Sequence, residues 1–452
     1  MKTGKITIYI CMFLVAVQIS FAENQLKRRG FAGFGYRAIT KADMDSLNLS
    51  DMDGIIITRV LPNTPTDRAG LQVGDIIKKY GDNNILDKSQ FINITRLYYA
   101  GDLVNVSLIR DGRAVSVTLI LEAFTEETSD EVEIEYTSFY TKDIQLRAVV
   151  TSPLNSGDKK LPALLLVSAL NSPRLIGVPY YSMQREIAYE VTKKGFRVMR
   201  FELRGFGDSE GEDYQTMDFT TEVNDNLAAL DYLMNREDVD KGNVFIMGHS
   251  TGGMIAAILA SKRKTDGLIT SCTIGRTFFE RMVETVRLQA QLAGESGIDI
   301  DKKEKEYLNL TVSVARGDSL SEILEKNPEL SRYVNKNNLI MDDRTVEYWH
   351  QQLNLNLSKI YSEITEPILI IYAASDFLTQ LECHEHIRDV LVASGNIDVK
   401  LSVIPNLDHR YAYAKDKKES FENYKTRNFK NNPEATRQII EWMLKHVNHT
   451  NK

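Results

Sequence analysis

A serine between two glycines is the strongest chemical signal in the chain. Residues 248–252 read Gly-His-Ser-Thr-Gly, directly after the apolar run 244–247 and before a segment rich in Ala and Ile. In a strand–turn–helix unit of this kind the glycines permit a tight turn that holds the serine hydroxyl out of the fold. Ser250 is therefore predicted to be a nucleophile.

A serine hydroxyl is a weak nucleophile until a base, itself oriented by an acid, takes its proton. Asp376 follows the strand-like run 368–372, and His409 follows the run 399–404. Both side chains should lie at the carboxyl edge of a parallel sheet, where Ser250 is also presented. We predict that His409 is the base and that Asp376 fixes its tautomer.

Competing residues exist for each role. Asp408 adjoins His409, but adjacent side chains rarely meet in the required geometry. His249 adjoins Ser250 and is expected to point away from it. The run Glu-Cys-His-Glu-His at 382–386 suggests a metal, yet residues two apart on one helix do not share a face. No metal and no organic cofactor is predicted.

The oxyanion of an acyl-transfer reaction needs two hydrogen-bond donors. The first is expected to be the backbone N–H of Thr251, the residue after the nucleophile. The second should come from the turn after the apolar strand 163–168. Leu170 N–H is the predicted donor, with Ala169 N–H as the alternative.

Strand and helix patterns alternate from residue 133 onward, which predicts an α/β fold with a mostly parallel sheet covered by helices on both faces. Residues 276–360 interrupt this alternation with helical patterns and little strand character. An insertion at this point would lie above the carboxyl ends of the strands. It is interpreted as a helical cap, with a peripheral insertion as the alternative.

Together these motifs make residues 133–450 resemble an α/β-hydrolase of the prokaryotic esterase, acyl-hydrolase and dipeptidyl-peptidase-like group. The loop Arg204-Gly205-Phe206-Gly207-Asp208-Ser209 is similar to the R-G-x-G-x-S loop of that family. The resemblance implies hydrolysis through an acyl-enzyme, with a small or medium-sized acyl compound as substrate.

Residues 30–122 read as a separate, β-rich domain, joined to the rest by the acidic segment 123–132. Their glycine and hairpin pattern resembles bacterial PDZ domains, as seen in Gly54-x5-Val60, Ala69-Gly70-Leu71, Gly74-Asp75-Ile76-Ile77 and Arg110-Asp111-Gly112. The resemblance implies a carboxylate-binding loop at Phe31, Ala32, Gly33 and Phe34, which would hold a peptide C-terminus. The alternative is a PDZ fold with a purely structural role.

The first 22 residues have the pattern of a secretory signal peptide. Lys2 and Lys5 precede the apolar run 6–19, and Ser20-Phe21-Ala22 offers small residues for cleavage after Ala22. We therefore expect an exported protein, periplasmic or secreted, with an uncleaved anchor as the alternative. A mature chain would keep Cys272 and Cys383, whose pairing the sequence does not establish.

Charge excludes one class of partner. The 55 basic and 62 acidic side chains give a net charge of −7, and no long basic run occurs, so a nucleic-acid partner is not expected. Three functions fit the motifs. A carboxylic-ester hydrolase ranks first, a serine peptidase second, and a noncatalytic PDZ scaffold third. The oligomeric state is not predicted.

Overall fold

A computed structural model describes residues 26–142, 144–170, 183–335 and 337–447. The predicted signal segment lies outside the described residues. The chain divides into two compact units between Glu126 and Glu127, a point inside the segment expected to be a linker. None of the helices in the described ranges has the length and apolar character that a membrane span requires.

The first unit is rich in β-structure, and its strands β2, β3, β4, β6 and β7 are neighbours in that order in one sheet. The short strand β5 pairs with β4, and β1 pairs with β8. The strands are β1 (Gly30–Phe31), β2 (Phe34–Ala38), β3 (Ile55–Val60), β4 (Ile76–Tyr80), β5 (Asn83–Asn84), β6 (Leu103–Arg110), β7 (Arg113–Ile120) and β8 (Glu122–Ala123). The helices are α1 (Lys41–Ser46), α2 (Pro65–Arg68) and α3 (Lys88–Thr95).

The period of two along β3 explains the core of this unit. Ile55 and Ile57 pack into the larger cluster with Phe91 of α3, whereas Ile56 points to a small cluster on the opposite face. Alternate residues of a strand face opposite sides of the sheet, so this isoleucine run supplies both faces. The strand β2 pairs with β3 and stands at the sheet edge.

The second unit contains an eight-stranded sheet in the order β16-β15-β14-β13-β11-β12-β10-β9. Its strands are β9 (Val132–Thr141), β10 (Ile144–Pro153), β11 (Leu161–Val167), β12 (Arg197–Phe201), β13 (Val239–His249), β14 (Gly267–Ser271), β15 (Ile368–Ala373) and β16 (Val399–Ile404). The strands β12, β11, β13, β14, β15 and β16, in this order across the sheet, are all parallel to their neighbours. The strand β10 pairs antiparallel with β12 and with β9. The predicted mostly parallel α/β sheet is confirmed.

Helices cover both faces of this sheet, which explains its continuous apolar strands. On β11, Leu164 and Leu166 face one core cluster, while Leu165 and Val167 face the other. The helices are α4 (Met183–Thr192), α5 (Phe219–Asn235), α6 (Thr251–Lys262), α7 (Phe278–Leu292), α8 (Gly297–Arg316), α9 (Leu320–Lys326), α10 (Val346–Leu353), α11 (Leu357–Ser362), α12 (Leu381–Ala393), α13 (Lys417–Thr426) and α14 (Glu434–His446).

The helices α7 to α11 and two short 3-10 turns, Pro328–Tyr333 and Met341–Asp343, form the insertion between β14 and β15. We refer to this insertion, residues 276–362, as the cap by position only; Arg281 and Thr285 of its helix α7 contact the carbonyl of Leu378 in the loop after β15. Arg344, between the second 3-10 turn and α10, is fully buried and donates to the carbonyl oxygens of Tyr214 and Met217. The cap is thereby fixed to the segment that precedes α5.

No sequence pattern predicts the helix α13. Ser420 is its one buried residue, so the helix has no apolar stripe of the kind that reveals helices from sequence. An N-cap stabilises it instead, because Asp416 accepts a hydrogen bond from the N–H of Glu419 at 2.8 Å.

Candidate active site

The predicted nucleophile stands at the turn between β13 and α6. Ser250 has φ 56° and ψ −127°, a strained conformation of the kind that concentrates at functional sites. A Cβ atom on Gly248 would lie 2.0 Å from the carbonyl oxygen of Gly252, and one on Gly252 would lie 2.6 Å from that of Ser168. Both glycines are required because backbone segments approach each other closely on either side of Ser250.

Asp376 and His409 form a buried hydrogen-bonded pair. His409 Nδ1 lies 2.7 Å from Oδ2 of Asp376, so a proton on Nδ1 leaves Nε2 as the acceptor. Asp376 Oδ1 accepts the N–H of Leu378 at 2.6 Å, and Oδ2 accepts the Thr379 hydroxyl at 2.5 Å. Burial opposes ionisation, but His409 and these donors outweigh it and lower the pKa of Asp376 to about 2.

The structure brings Ser250 and this pair to the same edge of the sheet. Ser250 N–H donates to the carbonyl of Ser271, the last residue of β14, at 2.8 Å. The next residue, Cys272, has its Sγ within 4.8 Å of ligand atoms of both Asp376 and His409. The segments that carry Ser250, Cys272, Asp376 and His409 therefore meet at the carboxyl ends of β13, β14, β15 and β16.

His249 packs beside the predicted base. Its ring centroid lies 4.7 Å from that of His409. Burial, together with the neighbouring charge of His409, lowers the pKa of His249 well below its ordinary value. A neutral imidazole at 249 supports the His409 ring without competing for a proton.

Asp408, the competing acid, is occupied with its own turn. Its Oδ1 accepts the N–H groups of Arg410 and Ala412, each at 2.8 Å. The Asp408 carboxylate therefore shapes the loop that carries His409, while the Asp376 carboxylate contacts the imidazole.

The predicted oxyanion donors lie together, with one unexpected contact. Thr251 begins α6, so its N–H lies at a helix N-terminus, where negative charge is stabilised. The N–H of Leu170 donates to the hydroxyl oxygen of Thr251 at 2.6 Å. The Leu170 N–H therefore already has the Thr251 hydroxyl as its acceptor. Ala169, the residue before Leu170, is half-buried.

Thr273 and His384 support the site, although no sequence motif assigns them this role. The Thr273 hydroxyl donates to the carbonyl of Ser250 at 2.7 Å, and Thr273 N–H donates to Nε2 of His384 at 3.1 Å. His384 Nδ1 lies 2.8 Å from the carbonyl of Gln380. Burial lowers the pKa of His384 to about 4, which keeps Nε2 available as an acceptor.

The run 382–386 lies on α12, and its two imidazoles have separate hydrogen-bond partners. His384 contacts Thr273, whereas His386 Nε2 lies 2.9 Å from the Ser358 hydroxyl. No sequence motif marks Thr273. His384 lies in a run with two histidines, so a supporting role for it becomes a natural hypothesis once α12 is placed beside the site.

Within the described ranges, one group of side chains has metal-ligand spacing, namely Cys272, Asp376 and His409. In this group Asp376 and His409 already share a hydrogen bond, and burial raises the pKa of the Cys272 thiol well above its ordinary value. A neutral thiol is a poor metal ligand. Cys272 and Cys383 are both free thiols, which answers the question of their pairing.

The predicted carboxylate loop of the first unit links β1 to β2. Phe31 pairs with Glu122, and Phe34 begins β2 opposite Val60. Gly33 has φ 92°, and a Cβ there would lie 2.2 Å from the side chain of Thr64. The carbonyl of Ala32 accepts the N–H of Thr66 at 3.0 Å.

Aromatic side chains line the side of β2 that faces α3. The ring centroids of Tyr36 and Phe91 are 4.9 Å apart, and those of Phe34 and Phe91 are 6.0 Å apart. Among the described residues, β2 is an edge strand of its sheet, and a strand edge beside an apolar helix face is the arrangement that accepts an extended peptide.

Comparison with known families matches both units. Residues 179–416, more than half of the chain, match the family described as serine aminopeptidase, S33. Residues 30–121 match the PDZ domain family.

Individual relatives agree with these matches. The chain is 26% identical over 385 residues to esterase EstD of Thermotoga maritima, with coverage of 83% of this chain and 84% of the relative. It is 30% identical over 124 residues to a probable DegP-like periplasmic serine endoprotease of Pseudomonas fluorescens, covering 26% of each chain. The solved structure of Est1E from Butyrivibrio proteoclasticus with ferulic acid has 15% identity and a TM-score of 0.44, covering 69% of this chain and 99% of that one.

Proposed function

The chain belongs to the serine aminopeptidase S33 family of α/β-hydrolases and carries an N-terminal PDZ domain, and from this premise we propose that it hydrolyses carboxylic esters through an acyl-enzyme on Ser250. The observation that carries this proposal is the 2.7 Å contact of His409 Nδ1 with Asp376 at the sheet edge that presents Ser250. The match to an esterase over most of both chains favours an ester substrate.

The first half of the reaction forms the acyl-enzyme. His409 Nε2 takes the hydroxyl proton of Ser250 as the serine oxygen attacks the ester carbonyl carbon. Asp376 stabilises the imidazolium ion that results. The imidazolium then gives its proton to the departing alkoxide, and the alcohol leaves.

Water completes the cycle. His409 takes a proton from water as its oxygen attacks the acyl carbon, and the proton returns to Ser250 as the carboxylic acid departs. Every proton in both halves passes through Nε2 of His409. The hydrogen bonds that Asp376 accepts from Leu378 and Thr379 hold its carboxylate in place throughout.

The oxyanion is stabilised at the N-terminus of α6. Thr251 N–H supplies one donor. Because the N–H of Leu170 donates to the Thr251 hydroxyl, that hydroxyl keeps its own proton for the developing oxyanion. Leu170 thereby acts through Thr251, and Ala169 N–H is the alternative second donor.

A single labelling experiment tests the enzyme class. A fluorophosphonate probe should label the native protein, and Ser250→Ala should abolish both labelling and ester hydrolysis. Labelling that persists in Ser250→Ala would overturn the assignment of the nucleophile. Unlabelled native protein would favour the noncatalytic scaffold.

The reaction class is tested by substrate choice. We expect p-nitrophenyl esters to be hydrolysed with a kcat/KM well above that for aminoacyl p-nitroanilides. The reverse order would establish the peptidase alternative.

We also propose that the PDZ domain binds a peptide C-terminus along β2, with the carboxylate held by Phe31, Ala32, Gly33 and Phe34. The edge position of β2 and the aromatic side chains beside it support this role. Fluorescence anisotropy with a peptide library should show binding of free carboxylate termini and much weaker binding of the same peptides as amides. Equal binding of both forms would contradict a carboxylate site.

Export after cleavage behind Ala22 is proposed as well. The similarity to a periplasmic endoprotease over the length of a PDZ domain is consistent with this location. N-terminal sequencing of the protein from its native host should begin at Glu23. A chain that still begins at Met1 in the cytoplasmic fraction would exclude cleavage.

A further inference from the structure

Among the described residues of the hydrolase unit, Arg281 is a partly buried arginine with no acidic side chain within ion-pair distance. Burying a guanidinium group is costly unless a carboxylate pairs with it. Other buried or half-buried arginines of this unit lie within 4.0 Å of an acidic side chain, among them Arg147 with Asp208, Arg197 with Asp238, Arg200 with Glu127, Arg204 with Asp225, Arg236 with Asp238, Arg276 with Glu284 and Arg344 with Glu222. Arg281, on α7 of the cap, has no such contact within the described residues.

The hydrogen bonds of Arg281 leave most of its donors available. Its Nε donates to the carbonyl of Leu378 over a long 3.3 Å, and Nη1 contacts Met282 Sδ at 3.2 Å. The guanidinium also lies 5.3 Å from the ring centroid of Phe278. Of the five N–H donors of an arginine, those on Nη2 have no partner among the described residues. Residues 171–182, outside the described ranges, contain no Asp or Glu.

The position of Arg281 connects it with the reaction site. Leu378, whose carbonyl accepts from Arg281, donates its own N–H to Oδ1 of Asp376 at 2.6 Å. The guanidinium therefore lies against the turn that fixes the proposed catalytic carboxylate. Thr285, one helical turn further along α7, donates its hydroxyl to the same carbonyl at 3.2 Å.

The Arg281 side chain is partly buried, and two carboxylates act on it. Arg281 keeps part of its surface accessible, yet burial lowers its pKa, and the carboxylates of Asp342 and Asp376 act in the opposite direction. Gln380, whose amide nitrogen donates to the Thr285 hydroxyl at 3.5 Å, has a buried amide oxygen that accepts no hydrogen bond from the described residues.

We propose that Arg281 is a specificity-determining residue that binds a carboxylate carried by the ester substrate, away from the bond that is cleaved. The planar fork of a guanidinium matches a carboxylate through two parallel hydrogen bonds. A singly charged carboxylate suits the site better than a dianionic phosphate, because two carboxylates already lie near the guanidinium. This inference rests on the proposed esterase function and names its substrate class: half-esters of dicarboxylic acids or esters of hydroxy acids.

The test compares anionic and neutral esters of similar size. Monoethyl adipate is paired with ethyl hexanoate for a carboxylate on the acyl side. For a carboxylate on the alcohol side, 4-acetoxybenzoate is paired with 4-acetoxyacetophenone. We expect native protein to prefer the anionic member of at least one pair. In Arg281→Gln the anionic-to-neutral ratio of kcat/KM should fall by about ten- to hundredfold, the range for hydrogen bonds to a charged group.

Two further variants serve as references. Arg287→Gln removes the same charge from an exposed position of α7, where Arg287 contacts Glu304, and it should leave the ratio unchanged. Arg281→Lys keeps the charge without the fork and should lose part of the preference, which provides a readout should Arg281→Gln fold poorly. Hydrolysis of the neutral esters and thermal melting report on folding.

The outcomes separate this inference from the proposed function. Two results would overturn the role of Arg281 alone, provided that Ser250-dependent hydrolysis of neutral esters is observed. One is that the native protein prefers neither anionic ester, and the other is that Arg281→Gln has the same anionic-to-neutral ratio as the native protein. An equal fall of the anionic-to-neutral ratio in Arg287→Gln would show that the preference comes from long-range charge and not from contact with Arg281. Hydrolysis of all four esters by Ser250→Ala would instead remove the proposed function.

Discussion

At the scale of single residues, the two carboxylates near His409 differ in the groups that they contact. Asp376 reaches Nδ1 of the imidazole, while Asp408 accepts the backbone N–H groups of Arg410 and Ala412. The two acids therefore have different consequences when they are neutralised.

We expect Asp376→Asn to lower kcat by roughly 10³- to 10⁴-fold with little change in KM, because an amide favours the wrong imidazole tautomer. The matched variant Asp408→Asn should retain most of the activity. The measurement is the steady-state hydrolysis of a p-nitrophenyl ester. A larger loss in Asp408→Asn than in Asp376→Asn would exchange the roles of the two acids.

The Thr251 hydroxyl provides a second prediction at this scale. Thr251→Val removes the group that links Leu170 N–H to the oxyanion, and kcat should fall by about 10²- to 10³-fold, the usual effect of losing one such donor. Thr251→Ser should stay near the native value. If Thr251→Val is as active as native protein, Leu170 N–H binds the oxyanion directly.

At the scale of elements, buried polar contacts join segments that the sheet alone does not fix. His384 of α12 accepts the N–H of Thr273, and Thr273 in turn holds the carbonyl of Ser250. Arg344 joins the cap to α5 through Glu222, at 3.4 Å, and to the two carbonyls before that helix.

Stability should fall as pH decreases through the His384 titration. The pKa of His384 is about 4 in the folded protein and 6.5 in the ordinary state, so the unfolded chain binds the proton more tightly. The contribution of neutral His384 to the free energy of unfolding is fully present above pH 6.5. As the pH falls to about 4, this free energy decreases progressively by about 3 kcal/mol. His249 shifts in the same direction.

Urea unfolding of the native protein and of His384→Gln between pH 7 and pH 4.5 measures this contribution. The variant keeps a hydrogen-bond acceptor but cannot titrate, so its stability should depend less on pH. Parallel curves for the two proteins would show that His384 does not contribute.

The cap anchor has its own mutational signature. Arg344→Met leaves the buried Glu222 without its cation and should lower the free energy of unfolding by about 3–5 kcal/mol. Replacing both residues by methionine should recover part of that loss. Arg316→Gln, which removes an exposed ion pair with Asp318, should change stability by no more than about 1 kcal/mol. Equal losses in the single and double variants would contradict a buried pair.

At the scale of the whole molecule, the chain combines two units with separate cores. The core clusters of the first unit contain residues up to Leu121, and those of the second begin at Phe139. A unit with its own core can fold alone, so the chain beginning at Glu127 should hydrolyse small esters with a kcat/KM within about threefold of the full chain. Loss of that activity, with the fragment folded by circular dichroism, would show that catalysis requires the PDZ domain.

Most of the fold could be read from the sequence because its signals are local. Buried parallel strands such as β11 and β15 are continuous apolar runs, and the two glycines around Ser250 are fixed by close backbone approaches that no other residue permits. The polar helix α13 gave no such signal, since polar residues that form an N-cap and an exposed helix also occur in loops.

The sequence by itself determined the residue types, their order and the strand ends at which Ser250, Asp376 and His409 stand. Strand order and register then set their approach, through pairings such as β13 with β14 that no local pattern encodes. Only the tertiary structure decided that His249 packs on His409, that Thr251 meets Leu170, and that Arg281 lies against the turn after Asp376. Each of these contacts joins residues from different elements, and side-chain packing between elements depends on the whole fold.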